Sequence, residues 1–243
     1  MLTSQPFIVE QSAICDVVRD DLIDGGTKLR FLPDVVGDAD HIVFGAPFCG
    51  GAPVALSVLG RETGKRITIF YAQRKHLTPR MMRVRDNGAD IVLVPYGYMG
   101  VVQRHARDYA QENGALFLPL GFDVVAAEQP FREMLRAERP RLDYDEIWCA
   151  TGSGMLARNL GAVFKDSRIM AVAVGLSSRW TEQTMTPNVT IINIDTPYAT
   201  PVLDSAAPFP ICAHYEAKAY RMMAMHAELR PQVRRLFWNV IGA

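Results

Sequence analysis

The stretch Glu146–Leu160, E-I-W-C-A-T-G-S-G-M-L-A-R-N-L, decides the fold. Its first part, Glu146–Ala150, has the length and unbroken apolar character of a strand buried on both faces. The run passes into Thr151-Gly152-Ser153-Gly154, and a helical pattern follows at once from Met155 to Phe164. A strand that turns over glycines straight into a helix is one half of a parallel crossover unit. Glycines let the backbone turn tightly and approach a ligand closely. The free amides and the dipole of the helix start then favour an anion, naturally a phosphate. Thr151 and Ser153 add hydroxyl donors. Two readings stay open, a phosphate cup and a plain tight strand-to-helix turn. The run is not a P-loop, because no Gly-Lys-Ser/Thr follows. Nor is it a full G-x-G-x-x-G, because Leu156 and Ala157 stand where the last glycine would be.

Outward from this run, short apolar segments alternate with helical ones. Strands are predicted at His41–Ala46, Ile67–Tyr71, Ile91–Pro95, Leu116–Leu118, Glu146–Ala150, Ile169–Val174, Thr190–Ile194 and Arg235–Val240. Helices are predicted at Pro53–Thr63, His76–Asn87, Val101–Asn113, Ala126–Arg136, Met155–Phe164 and His214–Leu229. Glycines close several of the helices, as at Gly64, Gly88 and Gly114. This alternation predicts an α/β fold, a parallel sheet between helix layers in a three-layer α/β/α arrangement. Residues 177–210, with five prolines, read as a loop-rich connection, the kind of segment that carries ligand contacts in open α/β folds. No internal repeat or low-complexity segment interrupts the pattern.

Composition narrows the function. The chain has 243 residues, 49% of them hydrophobic, enough for a sizeable core; 26 basic and 26 acidic side chains leave no net field to draw in nucleic acid or an anionic membrane. Basic clusters at 73–85, 132–141 and 230–235 read first as solvated helix faces. Cys15, Cys49, Cys149 and Cys212 are widely spaced without a C-x-x-C pair, so neither zinc, another metal, nor a disulfide framework is expected. The opening M-L-T-S-Q-P-F-I-V-E lacks the pattern of a signal peptide, and no stretch has the length and apolarity to span a bilayer. A cytoplasmic protein is expected.

Three further segments carry candidate chemistry. Asp24–Phe31, D-G-G-T-K-L-R-F, sets Lys28 behind two glycines, either as a solvated charge on a turn or as a side chain aimed at something. Ala46–Pro53, A-P-F-C-G-G-A-P, is a second strand–glycine–helix junction, with Pro53 suited to a first helical turn. It reads equally as an acid-binding helix start and as a simple cap. Tyr96-Gly97-Tyr98-Met99-Gly100 follows a strand; its tyrosines read either as acids or stacking surfaces in a cleft or as a surface turn. A lysine together with a phosphate cup in an α/β fold suggests pyridoxal 5'-phosphate, which needs an amine for its Schiff base and a cup for its tail.

The same residues carry a family resemblance. D-G-G-T-K-L-R resembles the G-G-N-K-x-R segment of the fold type II (tryptophan synthase β-like) pyridoxal-phosphate enzymes, in particular the branch of aminocyclopropane-carboxylate deaminase and D-cysteine desulfhydrase. A-T-G-S-G-M-L-A-R is similar to the family's T-G-S-G-G-T-x-A-G, and M-R-V-R-D-N-G-A-D-I-V-L-V to its small-domain helix and strand. H-Y-E-A-K-A-Y and R-L-F-W-N-V-I-G resemble its V-Y-T-G-K-A and L-F-L-H-T-G-G. The order and rough spacing agree over most of the chain.

The resemblance implies that Lys28 carries the cofactor, and that Thr151, Gly152, Ser153, Gly154 and Met155 hold its phosphate. Tyr96 and Tyr98 are candidate catalytic groups; Gly50, Gly51, Ala52 and Tyr215 are candidate substrate contacts. It implies a larger cofactor domain from 1–40 and 116–243, a smaller domain from 41–115, and a homodimer, with the Met222, Met223 and Met225 helix either at the interface or in the core. The default activity is a deaminase or lyase acting on a small amino acid. The chain also departs from the pattern. It is shorter than is usual in the branch, and C-G-G-A-P stands where S-N-H would hold the substrate carboxylate. Val240 matches the threonine that faces the pyridine nitrogen and cannot hydrogen-bond it, whereas Asn239 substitutes if the register is off by one. These departures keep two alternatives open. One is a phage-encoded decarboxylase, working in the host cytoplasm on an amino acid-modified thymine base in DNA. The other is a non-catalytic binder of the cofactor or another phosphate ligand.

Overall fold

The computed structural model describes residues 6–95, 97–122, 125–174 and 185–242. Tyr96 and part of the loop-rich connection at 177–210 fall outside them. The chain divides into two compact units, Asp24–Ala127 and Gln5–Ile23 with Glu128–Ala243. This differs from the expected division. Residues 24–40 and 116–127 belong to the first unit, so Lys28 sits in a different unit from the Thr151–Gly154 loop.

In chain order, β1 (Val9–Gln11) and β2 (Asp16–Arg19) belong to the second unit. The first unit contains α1 (Leu32–Val36), β3 (His41–Ala46), α2 (Ala52–Thr63), β4 (Arg66–Ala72), α3 (Pro79–Asp86), β5 (Asp90–Val94), α4 (Met99–Glu112) and β6 (Leu116–Leu118). Helix α5 (Val125–Glu138) carries the chain into the second unit, followed by β7 (Glu146–Thr151), α6 (Met155–Val163), β8 (Arg168–Ala173), β9 (Val189–Asn193), α7 (Glu216–Leu229) and β10 (Arg235–Asn239). All eight predicted strands and all six predicted helices are present, with ends shifted by at most three residues.

The first unit is built on a four-stranded parallel sheet in the order β5-β4-β3-β6. Ile42, Val43, Phe44, Ile69 and Phe70 are buried in it, and α4 packs Val102, Ala106 and Ala110 on one face. Each of the Val, Ile and Phe side chains among them contributes roughly 1.5–3 kcal/mol when fully buried.

The second unit has six strands in the order β1-β2-β10-β7-β8-β9, parallel except for the β1–β2 pair. Its core packs Trp148, Ala150, Met170, Val172 and Phe237 against Ala219, Tyr220 and Met223 of α7. Met223 is therefore core and Met222 packs partly against it, while Met225 is exposed. At the N-terminal end of β7 the buried Glu146 accepts from Trp148 Nε1 (3.0 Å) and Arg230 (2.8 Å) and faces Arg235 Nε at 3.4 Å. Breaking a buried charge network of this kind costs about 3–5 kcal/mol. The opposite, C-terminal edge of a parallel sheet is where open α/β folds receive ligands.

Candidate functional site

At that C-terminal edge, β7 ends in Thr151 and turns over Gly152, Ser153 and Gly154 into α6. Gly154 takes φ of +87°, a left-handed conformation that glycine adopts without strain. No side chain caps the helix start, which leaves its first-turn amides available to an acceptor. The helix is held from behind. Asn159 donates to Met155 O (2.7 Å) and accepts from Arg132 Nε (2.7 Å), while Arg158 donates to Glu128 (2.9 Å). The Thr151 Oγ1 atom is buried without a hydrogen-bond partner, and a buried hydroxyl left so costs about 1–3 kcal/mol.

Tyr215, at the N-cap of α7, reaches this loop. Its hydroxyl lies 3.0 Å from where a Cβ on Gly152 would stand, and it accepts a hydrogen bond from the Gly152 amide. Desolvation pushes its phenol far above the ordinary value, so it is a neutral donor-acceptor. Asn239 ends β10, the strand beside β7, and Trp238 before it is in register with Cys149. The Asn239 side chain is fully buried. Its Nδ2 donates to Pro210 O (2.9 Å), while Oδ1 has no partner. The second unit thus gathers Thr151, Gly152, Ser153, Gly154, Met155, Tyr215 and Asn239 around the ends of two adjacent strands and two helix starts. Met155, among them, is buried.

Lys28 lies in the first unit, in a single 3-10 turn, Thr27–Arg30. The glycines before it are required. Gly25 takes φ of +104° and its absent Cβ would lie 3.1 Å from the Ala55 backbone, and Gly26 takes φ of +73°. Asp24 anchors the turn by accepting from Arg61 (2.8 Å) and from Arg83. Burial works to raise the Asp24 pKa, but the two arginines outweigh it and leave it below the usual carboxylate value. Lys28 Nζ stands 5.7 Å from the centre of the Phe122 ring. Arg30 is buried.

The second glycine junction, also in the first unit, is closed by its own bonds. Gly50 N donates to Pro47 O (3.1 Å), Thr78 to Phe48 O (2.9 Å) and Arg80 to Cys49 O (3.0 Å). Gly50, Gly51 and Ala52 are placed there, at the start of α2. Tyr98 is 85% exposed and caps α4. The four cysteines are buried thiols, with burial pushing Cys15 up to about 11 and Cys149 up to about 12. Among the described residues, no group of three or more acidic, histidine or cysteine side chains could hold a metal, and no helix is long and apolar enough to cross a membrane.

No family model and no curated protein matches the chain. Solved structures do. An ACC deaminase homologue aligns over 99% of this chain and 90% of its own, with a TM-score of 0.82 at 16% identity. O-ureido-L-serine synthase aligns over 100% and 90%, with a TM-score of 0.73 at 17% identity. A pyridoxal 5'-phosphate-dependent aspartate racemase aligns over 93% and 83%, with a TM-score of 0.66 at 13% identity. The fold is that of the fold type II pyridoxal-phosphate enzymes, as the sequence resemblance implied.

Proposed function

We propose that the chain is a pyridoxal-phosphate enzyme acting on an amino acid-type amine in the manner of a deaminase or lyase. The observation that carries the reading is the orphaned Thr151 hydroxyl beside the uncapped start of α6 within this fold. The residues fit the cofactor. Thr151, Ser153 and the amides of the first turn of α6 suit the phosphate, and Asn239 offers a polar atom for the ring. Bound there, the cofactor supplies an aldehyde that takes up an amine and a ring that draws electrons from the amine-bearing carbon.

The chain's own residues do the rest. Lys28 Nζ would be the amine that holds the cofactor, and the same nitrogen, when free, would be a base able to take and return a proton. Tyr215 donates or accepts at the loop as a neutral phenol. C-G-G-A-P stands where the resemblance expects S-N-H and offers no Asn or His side chain to a substrate carboxylate, which favours a substrate whose carboxylate is held elsewhere.

The test is the visible and near-ultraviolet absorbance of the purified protein supplied with cofactor, beside Lys28→Ala. A band in the wild type that is lost in the variant, and that moves on addition of amino acids, supports an enzyme. A band indifferent to every amine points to a non-catalytic binder. No band in either protein overturns the proposal.

A further inference from the structure

We propose that the C-terminal edge of the first unit's sheet binds a phosphate group through Arg74, Lys75 and His76, and that the substrate amine carries that group. The second half rests on the function proposed above; the site itself does not. The three residues follow β4 directly, and all three side chains are exposed. Among the described residues none of them has an ion-pair partner. Elsewhere in the same unit Arg61, Arg66, Arg83 and Arg85 are each paired with an aspartate or glutamate. The stretches around the ends of β3, β4 and β5, residues 45–53, 72–80 and 93–101, contain no aspartate or glutamate. Helices α2, α3 and α4 all begin there and add the positive ends of their dipoles. Neighbouring cations with no acid between them repel one another, and a bound anion relieves that repulsion.

The edge is held in place from both sides. The guanidinium carbon of Arg74 lies 4.1 Å from the centre of the Phe48 ring, in the β3–α2 junction. Stacked in this way, its N–H donors lie in the plane along the rim, as the fork that meets a phosphate with two parallel bonds. The Gln73 amide donates to Val94 O (2.9 Å) and Thr78 Oγ1 donates to Phe48 O (2.9 Å), so the segment between them is anchored at each end. Gly97 lies against Ala72, where a Cβ would stand 3.3 Å from the Ala72 Cα, and places the exposed Tyr98 after β5 on the same edge. Strands β4 and β6 flank β3. Lys28 Nζ stands against Phe122, just past β6, so the lysine and the basic segment belong to one unit. A phosphate dianion has acceptors for all three basic side chains, whereas a carboxylate is satisfied by the Arg74 fork alone.

The experiment titrates methyl phosphate and acetate calorimetrically into the full-length protein loaded with one equivalent of cofactor, as wild type, Arg74→Gln, Arg74→Gln/Lys75→Gln and Thr151→Val. Methyl phosphate should bind the wild type about tenfold more tightly than acetate, lose about tenfold in Arg74→Gln, and bind undetectably to the double variant. Thr151→Val should leave this binding unchanged. No binding to the wild type, binding that survives in the double variant, or acetate binding as tight as that of methyl phosphate overturns the site. Binding lost in Thr151→Val instead of Arg74→Gln does so too, since it reports the cofactor loop. The substrate half is read from the cofactor absorbance on addition of phosphoserine or serine. Phosphoserine should act at about tenfold lower concentration, with the advantage lost in Arg74→Gln; equal responses overturn that half. Methyl phosphate binding without any cofactor attachment at Lys28 removes the proposed function and keeps the site, so the two failures have different readouts.

Discussion

The junctions β3–α2 and β7–α6 look alike in sequence, each an apolar strand, a pair of close glycines and an immediate helix. They differ in who uses their polar groups. At β3–α2, Pro47, Phe48 and Cys49 carbonyls are taken by Gly50, Thr78 and Arg80, and Pro53 brings no amide to the first helical turn. Neither helix start has a side-chain cap, but at β7–α6 the first turn has no proline and a buried hydroxyl is left unmatched. The first junction uses these carbonyls within the fold, whereas the second leaves a buried hydroxyl without a protein partner. Glycine spacing alone does not separate a turn from a site; the balance of donors and acceptors does.

That contrast can be broken in several ways, and the largest effect belongs to the lysine. Lys28→Ala should abolish covalent attachment and lower any turnover by on the order of 10²–10⁴-fold or more, measured by steady-state kinetics. Next comes the cup. Thr151→Val removes an unmatched hydroxyl at almost constant volume, so the cofactor-free protein should gain up to about 1 kcal/mol in urea melts while cofactor affinity falls about tenfold. Gly152→Ala should likewise weaken cofactor binding, because its new methyl displaces the Tyr215 hydroxyl. Opposite signs in stability and affinity for Thr151→Val would be hard to obtain from a merely structural turn.

The closed junction should respond in the reverse sense. Thr78 caps α3 by accepting from Met81 N (3.3 Å) while donating to Phe48 O, so Thr78→Ala should cost about 1–2 kcal/mol of stability and leave cofactor affinity unchanged. A tenfold loss of affinity there would erase the distinction between the two junctions. The smallest effect lies at the lysine turn. The Asp24 pKa is depressed in the folded protein, so its contribution is present above the unfolded value of 3.8 and is lost as pH falls through the folded value. Acid unfolding of Asp24→Asn should accordingly begin from a lower plateau and show a shallower slope below pH 3.8.

Much of this was legible in the sequence. The continuous apolar run Ile169–Val174 located a buried strand and glycines marked helix ends, whereas Ile91–Val94 located a strand that stands at the sheet edge, with Leu93 exposed and only Val94 buried. The two sheet strands that were missed, β1 and β2, are short and flanked by charge: β2 offers only Val17 and Val18 between Asp16 and Arg19. Helix α1 was hidden because Pro33 reads as a turn residue, although it sits in the first helical turn, where its missing amide is tolerated. The division of units escaped because the link at 116–127 carries no change of composition. Gly25, Gly26 and Gly154 were readable from residue type, since each takes a positive φ that favours glycine. The opposition of Tyr215 to Gly152 was not, because it depends on an irregular N-cap far along the chain. The amide orientation of Asn239 was also out of reach, since Pro210 sets it through space.

The most direct measurement is to add one equivalent of pyridoxal 5'-phosphate to the full-length protein, reduce with borohydride, and map the modified peptide by mass spectrometry. The account predicts a single cofactor adduct on Lys28, lost when free phosphate competes in excess and weakened in Thr151→Val. An unmodified Lys28, or labelling spread over Lys65, Lys75 and Lys165 with Lys28 no more reactive than they are, would contradict it.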